Sequence, residues 1–166
     1  MSNFRKKFSK IYDQYVEKIY RFIFLKVSSQ EIAEDLTSET FLRGWESFKN
    51  RNDIENPQAF LYQIARNLIT DHYREKGKYQ VVSAEFSPVT DPRTDLEERA
   101  ILNSDLDIIR QNLSGLKEDY QNAIVWYYLD DLPISEVARL LDRSEEAARV
   151  LLHRALESLR KELDSI

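Results

Sequence analysis

Between Asn56 and Gly77 the chain sets Gln63, Arg66, Asn67, Thr70 and Arg74 at three- and four-residue spacing, with Tyr62, Ile69 and Tyr73 flanking them. At helical period these side chains share one side. Their chemistry suits unpaired bases: amides read base edges, aromatic rings stack on base faces, and guanidiniums hold phosphates. Leu61, Ile64, Ala65, Leu68 and His72 follow the same period on another side, which faces a core. Both ends of the helix are marked. Asn56 suits the N-cap, Pro57 the first helical position, and Gly77 the left-handed residue that closes a helix. An ordinary amphipathic helix with a solvated polar face fits the same residues, and this stretch alone leaves both readings open.

Few other residues offer chemistry. The chain has no cysteine, so neither disulfides nor thiolate metal sites are available, in keeping with a reducing cytoplasm. His72 and His153 fall far apart with no evident metal partners, and no phosphate-cradling Gly-rich loop occurs. His72 reads as a packed or capping residue. No enzyme, cofactor or metal is expected. The N-terminus lacks the apolar run of a signal peptide, and no segment is apolar enough to span a bilayer.

The 166 residues are 42% hydrophobic, enough for one domain or two small ones, and three Gly, four Pro and 32% charged residues suit a mostly helical chain. The net charge of −5 is unevenly spread. Residues 1–78 carry 14 Lys/Arg against 11 Asp/Glu, residues 79–112 carry 3 against 7, and residues 113–166 carry 7 against 11. Autonomous DNA binders carry a basic patch, because phosphate neutralisation supplies most non-specific affinity. Only the first half leans basic, so another molecule must supply much of any grip on DNA.

In chain order, Phe8, Ile11, Tyr12, Tyr15, Ile19, Phe22 and Ile23 mark a long helix with an aromatic-rich core side. Ser28 with Glu31 offers a capping box for a second helix, whose inner side carries Ile32, Leu36, Phe41, Trp45 and Phe48. Glu34, Asp35, Ser38, Glu39 and Arg43 lie on its outer side. The Asn56 helix completes a three-helix domain over residues 1–78. Residues 79–95, with Pro88 and Pro92, read as a flexible linker that would span roughly 20–25 Å as a coil. Thr94 and Glu97 offer a cap for a helix to Leu113, and Tyr120, Ala123, Ile124 and Tyr127 line the next. Residues 133–155 then place two short helices about an Asp142-Arg143 turn. Ile134, Val137, Ala138 and Leu141 face inward from the first, and Ser144 caps the second. Ala148, Leu152, Ala155, Leu159 and Leu163 keep that second helix packed. This is the pattern of a helix-turn-helix, with Arg149, His153 and Arg154 on or beside the groove-facing side. Helical hairpins without DNA function share it, so the pattern alone leaves both readings open. The expected fold is all-α: a three-helix domain and a four-helix domain over residues 96–166, joined by the linker.

Three segments in order resemble bacterial RNA polymerase sigma factors. The run Glu34-Asp35-Leu36-Thr37-Ser38-Glu39-Thr40-Phe41-Leu42-Arg43-Gly44-Trp45 is similar to their polymerase-binding segment, and Ala59 through Arg74 to their promoter-melting segment. Leu152-His153-Arg154-Ala155-Leu156 is similar to the second helix of their −35-reading helix-turn-helix. The short linker without an intermediate domain points to the extracytoplasmic-function group. The resemblance spans residues 8–163.

For matching positions the resemblance implies roles. Asp35, Leu36, Ser38, Glu39, Phe41 and Arg43 would bind core RNA polymerase, with the acids the better contacts and Phe41 and Trp45 core in any case. Residues Asn50 to Asn56 and the helix after them would capture non-template-strand bases of the −10 element, through Asn56, Phe60, Tyr62, Gln63, Arg66, Asn67, Thr70, Tyr73 and Arg74. Arg143, Ser144, Arg149, His153 and Arg154 would meet the −35 element. The resemblance implies promoter DNA, core polymerase and an inhibitory anti-sigma factor as partners, and action in the cytoplasm on the nucleoid. The acids Glu85, Asp91 and Asp95 could keep DNA out of the polymerase channel. Ser38 stands where the family often has Gln, Leu151 where many members are basic, and Glu145-Glu146 add negative charge at the reading end. A stand-alone helix-turn-helix regulator and a protein-binding helical bundle are the competing readings.

Overall fold

The computed structural model describes residues 2–78 and 96–164, and side chains within 3–75 and 100–164. The linker expected at 79–95, with its acids and Thr94, lies outside the described residues. All regular structure among the described residues is helical: α1 (Ser2–Val27), α2 (Gln30–Asn50), α3 (Pro57–Lys78), α4 (Leu96–Leu113), α5 (Glu118–Ile124), α6 (Ile134–Leu141) and α7 (Glu145–Asp164). A π-helical stretch, Val125–Leu129, continues α5. The chain divides into two compact units, Met1–Leu106 and Asp107–Ile166. The division falls inside α4, later than the boundary at 96 read from the sequence. In the first unit, Asn103 of α4 accepts from the Tyr20 hydroxyl at 2.8 Å and donates to Gln30 at 3.0 Å.

In the first unit α1, α2 and α3 each pack on the other two. Ile19, Phe22 and Ile23 of α1 meet a core shared with Leu61, Tyr62 and Ala65 of α3. The buried face of α2 differs from expectation. It consists of Ala33, Thr37, Thr40, Phe41 and Gly44, while Ile32, Leu36, Trp45 and Phe48 are only half-buried. Small residues win because the helices approach closely. A Cβ at Gly44 would stand 2.9 Å from Leu61 Cδ2. The hydroxyls of Thr37 and Thr40 donate back to the carbonyls of Ala33 and Leu36, at 2.6 and 2.7 Å, so neither is left unsatisfied.

The α1–α2 junction uses its serines one position later than expected. Ser28 is left-handed (φ 56°) and its N–H donates to the Phe24 carbonyl, closing α1. Ser29 is the N-cap of α2, accepting from the Ile32 N–H at 3.3 Å. Asn56 caps α3 as its sequence suggests, accepting from the Ala59 N–H at 2.9 Å. The helix then runs through Gly77 to Lys78 instead of closing at the glycine.

In the second unit α5 packs on α7, and α6 also packs on α7. The π turn is closed by the Asp130 N–H, which donates to the Val125 carbonyl five residues back. It shifts the inward face. Ile124, Val125 and Trp126 are buried in succession, whereas Tyr127, expected inside, is exposed with Tyr128 and Leu129. The α6–α7 turn follows the sequence reading. Asp142 is left-handed (φ 56°), and the Arg143 N–H returns to the Ala138 carbonyl. The Ser144 hydroxyl accepts from the Ala147 N–H at 3.1 Å to open α7. Val137, Ala138 and Ala148 are buried.

Candidate nucleic-acid interface

On α3 the side chains of Gln63, Asn67, Thr70, Tyr73 and Arg74 are exposed along one side, and Arg66 is half-buried beside them. The Thr70 hydroxyl donates to the Arg66 carbonyl at 3.0 Å, and Arg74 lies 3.9 Å from Asp71. The Tyr73 hydroxyl donates to the Lys26 carbonyl, tying the ring to the end of α1 while leaving it 46% exposed. Tyr62 does not join this surface. It is fully buried, its ring edge-on to Phe22 at 5.3 Å. Because α1 and α2 both cover α3, the buried arc takes in adjacent positions, Leu61 with Tyr62 and Leu68 with Ile69. A ring enclosed in that arc cannot stack on a base.

Phe60 and Asn56 stand at the start of the same helix. The Asn56 amide oxygen is engaged in the cap. Phe60 is half-buried. Phe48 packs edge-on to it at 5.6 Å, and the Arg51 guanidinium lies 5.4 Å from its ring centre. Arg51 also forks onto Asp53 through two hydrogen bonds of 2.9 Å. Donation from Arg51 holds the Asp53 carboxyl below the usual carboxylate range, and the same bond raises the guanidinium above its ordinary value.

On α2, Asp35, Ser38 and Arg43 are exposed, and Glu39 is half-buried with its carboxylate 3.0 Å from Arg43. Leu36 is half-buried. Phe41 is buried among Phe8 and Tyr12, which removes it as a partner contact. Leu42, not singled out from the sequence, is 57% exposed among these charges. The signal was present in part, because Leu42 falls at helical period beside Asp35, Ser38 and Glu39 on the charged side of the helix.

On the helix-turn-helix, Arg143, Ser144, Arg149, His153 and Arg154 are all exposed. Most have acidic neighbours: Arg143 lies 3.3 Å from Asp119, Arg149 4.0 Å from Glu145, and His153 3.2 Å from Glu157. The Ser144 hydroxyl is committed to the cap. An open cleft of about 610 Å³ is lined by Lys117, Asp119 and Tyr120 from the start of α5 and by Arg143, Val150 and Arg154. Lys117, its ammonium 5.7 Å over the Tyr120 ring, adds a cation the sequence reading missed. Nothing in local spacing links it to Arg154. Leu151, which the resemblance sets where many members are basic, is buried and belongs to the core.

Among the described residues no cluster of three or more His, Cys, Asp or Glu could hold a metal, and no helix is long and apolar enough to cross a membrane.

The family Sigma-70 region 2 matches residues 11–79, and Sigma-70, region 4 matches residues 106–159. The chain is 30% identical over 158 residues to the ECF RNA polymerase sigma factor BldN of Streptomyces coelicolor, covering 92% of this chain and 58% of that relative's length. It is 28% identical over 156 residues to the ECF RNA polymerase sigma factor SigM of Bacillus subtilis, covering 90% of this chain and 91% of SigM. The fold is similar to CnrH, solved in complex with the cytosolic domain of CnrY, with a TM-score of 0.73 at 19% identity over 97% of this chain and 90% of that one. It is also similar to RpoE of Bartonella quintana, solved with the anti-sigma factor NepR, with a TM-score of 0.70 at 19% identity over 96% and 98% of the two chains. Two sigma-70 regions follow one another here as the melting-type helix and the helix-turn-helix do, and the chain belongs to the sigma-70 family of RNA polymerase sigma factors, in its extracytoplasmic-function group.

Proposed function

We propose that the chain, seated on core RNA polymerase, directs the enzyme to promoters by reading a −35 element with α7 and capturing opened −10 DNA with α3. The exposed row Gln63, Asn67, Thr70 and Arg74, flanked by Tyr73, carries this reading. It combines amide, hydroxyl, guanidinium and aromatic groups suited to splayed bases. The chain supplies recognition and strand capture, and the polymerase supplies the chemistry. Asp35, Ser38, Glu39 and Arg43, with Leu42 among them, form the polymerase-facing side of α2. The exposed acids are suited to pairing with basic groups on that partner.

Arg143, Arg149, His153 and Arg154 meet the −35 duplex, joined by Lys117 across the cleft. Ser144 serves through its cap. Since acids neighbour Arg143 and Arg149, duplex binding by either unit alone is weak at physiological salt. Held together on one polymerase, the two act as linked sites at high effective concentration. An anti-sigma factor that masks these surfaces is the regulatory partner, and the site of action is the cytoplasm. In-vitro transcription with core polymerase, with and without the chain, followed by start-site mapping, tests the proposal. Start sites that do not depend on the chain would overturn it.

A further inference from the structure

Between Asn50, the last residue of α2, and Asn56, the cap of α3, the chain makes one short turn. Arg51 leaves α2 in an extended conformation (φ −128°, ψ 137°) and folds its side chain back in two directions. The fork onto Asp53 closes the turn on itself. The guanidinium over Phe60 ties that closed turn to the first turn of α3. Phe60 is braced in its turn by Phe48, and Phe48 packs 6.0 Å from Phe8 of α1. The arrangement borders a cleft of about 180 Å³ lined by Phe4, Phe8, Phe48, Arg51, Asn52 and Ile54. A lone exposed ion pair contributes little. A two-bond fork stacked on an anchored ring is different, because it leaves the turn few alternative shapes.

We propose that Arg51 is a positioning residue for −10 recognition: its fork onto Asp53 and its seat on Phe60 fix the α2–α3 turn, and so set which base is preferred beside Asn52 and the start of α3. The assignment rests on the functional reading above. It gives Arg51 a role other than gripping phosphate, and it gives Phe60 the role of a platform for Arg51 instead of for a base. The depressed Asp53 carboxyl and raised Arg51 guanidinium agree with a fork that is made at neutral pH.

The test uses core polymerase assembled with the full chain. Competing probes are single-stranded non-template −10 oligonucleotides taken from mapped promoters, with each base placed in turn at every position. Arg51→Lys keeps the charge and loses the fork. Asp53→Asn removes a negative charge near DNA, which by electrostatics alone would tighten binding. Both are expected to lower discrimination at one position by about three- to tenfold, with the salt dependence of non-specific binding unchanged for Arg51→Lys. Wild-type preferences in both variants would overturn the proposal. So would a normal Arg51→Lys beside an Arg51→Gln that loses affinity evenly across sequences and about one unit of salt slope, since that is the mark of a phosphate contact. Tighter single-strand binding by Arg51→Ala would also overturn it, by making the guanidinium a lid over Phe60. A wild-type chain that directs no initiation would instead refute the functional reading, and this assignment with it.

Discussion

Neutralising the acids beside Arg143, Arg149 and His153 should let the purified chain grip duplex DNA without polymerase. The perturbation is the triple variant Asp119→Asn, Glu145→Gln, Glu157→Gln. The three carboxylates lie 3.3, 4.0 and 3.2 Å from Arg143, Arg149 and His153, and all six side chains are largely exposed. Exposed pairs of this kind stabilise the fold by only about 0.2–1 kcal/mol each, so folding should survive. Their effect on DNA is repulsive. A carboxylate about 8 Å from a phosphate in water is repelled by about 0.5 kcal/mol, which screening at physiological salt cuts to about 0.2 kcal/mol. With two or three phosphates near each acid, the triple variant gains about 1.2–1.8 kcal/mol, roughly a ten- to twentyfold rise in affinity. Titration of labelled −35 duplex with the full chain at several salt concentrations measures this. The gain should shrink as salt rises. An affinity within twofold of wild type at low salt, or a gain indifferent to salt, would refute the reasoning.

Tyr62 and Asn67 should separate cleanly. Tyr62→Ala removes a fully buried ring and should destabilise the first unit by about 3–5 kcal/mol, read by denaturant unfolding, whereas Asn67→Ala should leave unfolding unchanged and reduce promoter opening. Ser144→Ala should cost about 1 kcal/mol through the lost cap of α7, and Asp142→Val about 1–2 kcal/mol because a β-branched residue must hold φ 56°; thermal melts of the chain measure both. Because the Asp53 carboxyl is depressed in the folded chain, the fork with Arg51 is fully present above the ordinary aspartate value and is lost as pH falls through the lower folded one. The Phe60 ring resonances should therefore stay constant from about pH 5 to 8 and shift only in stronger acid; a midpoint inside the neutral range would contradict the pairing.

Strong local signals carried most of the fold. Asn56-Pro57 and Ser144 open their helices where sidechain capping chemistry places them, and the crossing at Ala138 and Ala148 follows from small residues at helical spacing. Periodicity gives the direction of a buried face and not its width, which is why Tyr62 was placed at the surface although two helices cover α3. Size misled on α2. A stripe of large apolar residues looked like the core side, while the close approach at Gly44 selected Ala33, Thr37 and Thr40. Ser28 and Ser29 offer the same chemistry in succession, and only the left-handed closure of α1 decides which is left to cap α2. Lys117 and Asp119 reach the helix-turn-helix through tertiary packing, which local spacing does not encode, whereas Glu145 and Glu157 stand four residues from Arg149 and His153 and were legible.

The π turn at Val125–Leu129 makes this the place in the second unit where chain length is most negotiable. A helix wound five residues to the hydrogen bond carries one residue beyond what ordinary winding needs. Deleting Tyr128 would let the helix relax to standard pitch while Trp126 before it and Leu132 after it keep their inward orientation, whereas the same deletion in α6 would swing Val137 and Ala138 out of register with α7. Length variation among relatives should therefore collect at this spot and spare the two helices that follow.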